Sequence, residues 1–163
     1  MIHEEQVSNM YKHILLPTDG SALSRQAIHS CMLFAKNTGA TITGVHVIPA
    51  LQPDQLEAWM HHDAHYGERR QALFERFADE YLAYIANSAQ AEEIPCACKV
   101  LKAPEPYLAI VKAAEQARCD LIYMASHGWK GDSAQLLGSE TLKVLMHSKI
   151  PVLVHKPVPG NRR

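Results

Sequence analysis

The chain has 163 residues, 47% hydrophobic and 20% charged, which is enough for one domain with a full core. Its 16 Lys and Arg against 17 Asp and Glu, a formal net charge of −1, create no field that would gather a polyanion, so nucleic acid is excluded as the main partner. No apolar run approaches the roughly 18 residues of a membrane span. His3, Glu4, Glu5, Gln6, Ser8 and Asn9 leave no secretory-type apolar core at the start, so a cytoplasmic protein with no membrane partner is expected.

In chain order, the run 12–16 (KHILL) stops at Pro17 and reads as a first strand, and Thr18, Asp19, Gly20 and Ser21 carry turn and helix-capping chemistry. A helix is expected from about Ala22, with Leu23, Ala27, Ile28, Cys31, Phe34 and Ala35 at helical spacing and Gly39 as its stop. The β-branched run 41–48 (TITGVHVI) predicts a second strand closed by Pro49. A long polar link follows, in which Asp54 and Glu57 could cap a short helix. Phe74, Phe77, Ala78, Tyr81, Leu82 and Ile85 then predict a strong amphipathic helix. A third strand over 96–101, a helix after Pro106, a fourth strand over 120–125 (DLIYMA), a loop, a short helix over 139–147 and a fifth strand over 151–155 complete the alternation.

The link also holds His61, His62, Asp63 and His65, but no spacing puts three of them on one helix face, and no native metal is expected. Of the four cysteines, Cys31 and Cys119 fall in apolar patterns. Cys96 and Cys98 share one face of a strand about 6.6 Å apart, near the limit for a disulfide. All four are expected as buried or half-buried free thiols.

Strands separated by helices call for an α/β fold: a single open five-stranded parallel sheet with helices on both faces, forming one domain over 10–157 with flexible tails at 1–9 and 158–163. With strand order 3-2-1-4-5, the ligand crevice lies beyond the carboxyl ends of strands 1 and 4, which brings 17–21 beside 125–139. Gly128, and Gly138 and Ser139 at a helix start, have the chemistry of a phosphate cradle: unobstructed N–H donors, a hydroxyl and the positive end of a helix dipole. Neither G-x-x-x-x-G-K-[ST] nor G-x-G-x-x-G is present. Asp19 could equally cap the first helix, the glycines could serve the turn alone, and Lys130 could be solvated. His127 reads as a loop-packing or phosphate-proximal residue, since no recognisable catalytic pattern places a Ser or Cys nucleophile next to it.

KHILLPTDGS, ATITGVHVI, DLIYMASHGWKGDSAQLLGSETLKVL and KIPVLV, in this order, resemble the universal stress protein family from Lys12 to His155. The resemblance implies a Rossmann-like nucleotide-binding fold and a regulatory stress-response protein that binds ATP, or ADP or AMP. The family's nucleotide binders carry G-x-x-G, nine residues, then G-[S/T]; Ala125 stands at the first glycine, while Gly128, Gly138 and Ser139 match. Carried over, Pro17, Thr18 and Asp19 would line the ribose and adenine end, with Asp19 on ribose hydroxyls or a phosphate-bound Mg²⁺. The Val47 backbone would meet the adenine edge, Met124 and Ala125 would flank the α-phosphate, and Gly128 would let the loop fold over the phosphates. Gly138, Ser139 and Glu140 would supply N–H or hydroxyl donors. The cost of Ala125 depends on its φ, and is small where φ is negative. The family also implies a homodimer, for which the apolar edge of the fifth strand offers a route. Two alternatives accompany this reading. One is a nucleotide-free dimeric interaction module, favoured by Ala125. The other is slow ATP hydrolysis, for which the sequence places no general base, Walker lysine or arginine finger.

Overall fold

The computed structural model describes residues 10–128 and 137–157. Lys130 and the two tails lie outside the described residues. The elements run β1 (His13–Pro17), α1 (Ala22–Thr38), β2 (Thr41–Pro49), α2 (Pro53–Met60), α3 (Tyr66–Ala91), β3 (Cys96–Ala103), α4 (Pro106–Gln116), β4 (Leu121–Ala125), α5 (Ser139–His147) and β5 (Val152–His155). All five strands pair in parallel in the order β3-β2-β1-β4-β5, as the alternation predicts.

Period-two alternation along the strands sorts the core into two layers. Ile14, Leu16, Ile42, Leu121 and Tyr123 point to one face and pack under Ala27, Ile28, Cys31 and Ala35 of α1 and Leu82, Ile85 and Ala89 of α3. Leu15, Val45, Ile122 and Met124 point to the other, under Ile110, Val111 and Ala114 of α4 and Val144 of α5. Each fully buried Leu or Ile contributes about 1.5–3 kcal/mol. The inner strands β1 and β4 are therefore apolar on both faces, while β3, at the sheet edge, is largely exposed. Among the described residues no helix is long and apolar enough to cross a membrane.

Local signals fix the helix ends. Ser21 is the N-cap of α1, its hydroxyl accepting from the Ser24 N–H at 3.2 Å, so the capping role open to Asp19 falls to Ser21 instead. Gly39 ends α1 in the left-handed conformation at φ 70°, its N–H returning to Ala35. α2 differs from expectation: it starts one residue before Asp54, with Gln52 as N-cap and the Gln55 side chain accepting from the Gln52 N–H at 3.2 Å. Pro53, locked near helical φ, sets that start and displaces the Asp54 and Glu57 cap. Asp63 pairs with Arg69 and accepts from the His65 N–H, and among the described residues no group of three His, Cys, Asp or Glu could hold a metal ion.

Candidate functional site

Because β1 pairs directly with β4, the segments that leave their carboxyl ends emerge side by side. The first is a stiff turn. The Thr18 N–H donates to the Val45 carbonyl at 2.9 Å, and the Thr18 hydroxyl lies 2.7 Å from that of Ser24 and accepts from the Gly20 N–H at 3.1 Å. His46 Nδ1 donates to the Thr18 carbonyl at 2.7 Å. Gly20 turns the chain at φ 78°, and a Cβ there would overlap the Tyr81 ring. Asp19 accepts from the Ser21 N–H at 2.9 Å, which aims its half-buried carboxylate from the end of the turn.

The second segment leaves β4 at Ala125. Its Ser126 N–H donates to the His155 carbonyl at 2.8 Å, and the Ser126 hydroxyl lies 3.1 Å from His127 Nδ1. Gly128 then comes against Asp19 so closely that a Cβ on it would overlap the carboxylate. The chain returns at Gly138, whose N–H donates to the Ser126 carbonyl at 2.6 Å, and the Thr141 hydroxyl donates to the Ala125 carbonyl at 2.9 Å. α5 thus begins directly beyond β4, with the N–H groups of its first turn outside the intrahelical ladder.

The structure brings together Pro17, Thr18, Asp19, Gly128 and, through Ser126 and His127, Gly138 and Ser139. Ala125 lies in β4, opposite His155, and is not among the described non-glycine residues with positive φ. Its methyl packs toward the α1 and α3 layer, whereas Met124 and Val47 lie on the α4 and α5 side. Val47 sits two residues short of the β2 end, opposite Leu101.

One expected role changes. Gly138 does not present a free N–H, because Ser126 takes it; its φ is −72°, so what requires glycine is the His127 backbone, 3.1 Å from where a Cβ would sit. The Glu140 side chain points to α4, accepting from the Tyr107 N–H at 2.9 Å, which leaves its backbone N–H at the start of α5.

His46 and Tyr81 belong to the site's surroundings, the imidazole standing edge-on to the phenol at 5.2 Å. Burial pushes the Tyr81 hydroxyl above its ordinary pKa, with the negative charges of Glu80 and Asp19 adding to the rise. Tyr81 read as one member of an apolar helical stripe and His46 as one alternate position in a strand. Only the tertiary approach of α3 to the β1 turn distinguishes them.

Backbone donors at a helix start, together with a carboxylate on the neighbouring turn, can hold a sugar phosphate: the carboxylate suits hydroxyls or a cation, the donors an anion. A family model described as the universal stress protein family matches residues 10–156. A universal stress protein of Methanocaldococcus jannaschii is 29% identical over 91% of this chain and 84% of its own length. A solved structure, described as a structure-based assignment of the biochemical function of the hypothetical protein MJ0577, is 29% identical, covers 92% of this chain and 99% of its own, and superposes with a TM-score of 0.75. Two more distant structures share the fold: a universal stress protein in complex with cAMP (20% identity, 91% and 98% covered, TM-score 0.62) and one from Archaeoglobus fulgidus in complex with dAMP (17%, 89% and 98%, TM-score 0.61).

Proposed function

The chain belongs to the universal stress protein family, and from that premise we propose that it is a cytoplasmic regulatory protein that binds an adenine nucleotide, ATP or its di- or monophosphate, between the ends of β1 and β4. The observation that carries the proposal is the approach of Gly128 to Asp19, which leaves room for no side chain between the two loops. In this reading Asp19 meets ribose hydroxyls or a phosphate-bound Mg²⁺, the β1 turn and Val47 flank the base, and the start of α5 with Ser139 meets phosphate. The relatives complexed with cAMP and dAMP support the ligand class, since both ligands carry an adenine and a phosphate. Mass spectrometry of small molecules released from the freshly purified, denatured protein should find an adenine nucleotide. An empty protein that also shows no calorimetric response to ATP, ADP or AMP at millimolar concentration overturns the proposal.

One observation favours a second reading, a nucleotide-free interaction module: the Gly138 N–H is already held by Ser126. The same titration separates the two.

The proposal includes a homodimer. β5 is a sheet edge with half-buried side chains, and Leu142, Leu145 and Met146 of the neighbouring α5 are exposed. Pairing of β5 with a second copy would cover that edge. Light scattering should give a dimer mass that Val152→Lys or Val154→Lys shifts toward monomer; a monomeric wild type at micromolar concentration refutes it.

A further inference from the structure

The edge strand β3 begins C-A-C, which puts Cys96 and Cys98 on the same face, opposite Ile42 and Gly44 of β2. Their sulfurs lie 4.0 Å apart, within reach of a thiol-to-thiolate hydrogen bond. Cys98 is exposed, against the expectation of four buried or half-buried thiols, and Cys96 is half-buried. Exposure follows from position: β3 has a neighbour on one side only, and most of its residues are exposed, although the Cys98 thiol donates to the Leu82 carbonyl of α3 at 3.7 Å. Gly44 contributes by omission, since a Cβ there would stand 3.1 Å from the Cys98 sulfur and 2.9 Å from Ile85. The nucleotide reading uses none of these residues.

We propose that Cys96 and Cys98 form a hydroperoxide-reactive dithiol in which Cys98 is the attacking sulfur and Cys96 the resolving one. The Cys98 thiolate attacks one oxygen of the peroxide, the O–O bond breaks, and the other oxygen leaves and takes up a proton, as water from hydrogen peroxide or as an alcohol from an organic hydroperoxide. Cys98 is then a sulfenic acid, oxidised by two electrons. The Cys96 sulfur attacks the Cys98 sulfur, the S–S bond forms, the S–O bond breaks, and hydroxide leaves as water with the Cys96 proton. Two thiols and one hydroperoxide thus give one disulfide, one water and one further water or alcohol.

Exposure assigns the roles, since Cys98 is exposed and Cys96 half-buried. Contact with the Cys96 sulfur pushes the Cys98 thiol down, opposed by burial and helped by the Gly44 backbone. Cys96 is raised by the same contact, then by burial and by the charge of Cys98. An accessible thiolate beside a protonated partner is the arrangement of a redox-sensing pair. Closing the bond needs the sulfurs to move from 4.0 Å to about 2.05 Å. On one face of a strand the Cβ atoms of residues two apart stand about 6.6 Å from each other, against about 3.5–4.5 Å in a disulfide, so closing the bond requires Cys96, the first residue of β3, to leave the extended conformation. Cys31 and Cys119 are internal references, since burial pushes their thiols up to about 12 and about 11.

The test treats the full-length chain with stoichiometric hydrogen peroxide and follows it by non-reducing peptide mass spectrometry. The wild type should lose the Cys96 and Cys98 thiols together, as an intramolecular disulfide reversed by reductant, at least about tenfold faster than Cys31 or Cys119. Cys96→Ser should instead accumulate a sulfenic acid on Cys98, trapped by dimedone, and Cys98→Ser should leave Cys96 reduced. Oxidation of the four thiols at similar rates, a disulfide between two copies through Cys98, or faster oxidation of Cys96 than of Cys98 would each overturn the proposal.

Discussion

The turn after β1 and the segment after β4 meet at one place but are held by different means. In the β1 turn, Thr18, Gly20, Ser21 and Ser24 bond among themselves, and two further bonds tie Thr18 to Val45 and His46 of β2. Its shape is settled once β1 and β2 pair. Among the described residues of the β4 segment, the local contact is that of the Ser126 hydroxyl with His127. Its other described bonds reach Gly138, Thr141 and His155, so the placement of Ala125 and Ser126 depends on how α5 and β5 dock. The first half presents Asp19 from a rigid support. The second has a closing bond, from Gly138 to Ser126, that could be exchanged for one to a phosphate oxygen.

The largest effect is expected from breaking the stiff half. Gly20→Val must place a β-branched residue at φ 78° and drive its Cβ into the Tyr81 ring. The left-handed conformation costs about 1–2 kcal/mol and the overlap about 1–3 kcal/mol, so chemical denaturation should show a loss of about 3 kcal/mol or more. A loss below about 1 kcal/mol would mean the turn relaxes freely and is not rigid. Thr18→Val comes next. It keeps the shape but leaves the buried Gly20 N–H and Ser24 hydroxyl without the Thr18 oxygen. The expected loss is about 1–3 kcal/mol in the same measurement, and an unchanged midpoint would show that the hydroxyl is dispensable.

This asymmetry also explains what the sequence could tell. All five strands and the four long or well-capped helices were legible, because short apolar or β-branched runs, Gly39, Pro106 and the start of α5 at Ser139 are signals carried by neighbouring residues. Pro17 to Ser21 was legible as a turn for the same reason. The N-cap of α1 was less so, since Asp19 and Ser21 are both good caps and only the backbone geometry chooses. The diversion of Glu140 to the Tyr107 N–H, the capture of the Gly138 N–H by Ser126 and the place of His46 beside Tyr81 depend on residues distant in sequence. The exposure of Cys98 was missed although the order 3-2-1-4-5 already puts β3 at the edge, because how far α3 and α4 cover that edge depends on helix packing that no local signal in 96–101 carries.

A variant at the meeting point tests whether the two halves act together. Gly128→Ala puts a methyl where the Asp19 carboxylate stands. One of them must move, and the adjustable segment should yield before the turn does. Folding stability should therefore change less than in Gly20→Val, while adenine-nucleotide affinity measured by calorimetry falls about tenfold or more, equivalent to 1.4 kcal/mol. Unchanged affinity would place the nucleotide elsewhere.

The smallest effect is expected at Ala125, although it is the one departure from the family's glycine pattern. Ala125 is the last residue of β4, paired with His155 and outside the positive-φ region, so nothing in its backbone calls for glycine. Its methyl packs toward the layer under α1 and α3, and the carbonyl that accepts from Thr141 belongs to the backbone, which the substitution does not remove. Ala125→Gly should therefore change nucleotide affinity by less than tenfold, or about 1.4 kcal/mol. It should lower stability by roughly 0.5–1 kcal/mol, the usual cost of glycine in a strand. If the methyl instead fills space that a phosphate needs, calorimetry will show no binding by the wild type and a clear gain in Ala125→Gly. That result would transfer the weight of the comparison to the β4 segment, making it the half that decides whether the site accepts a nucleotide.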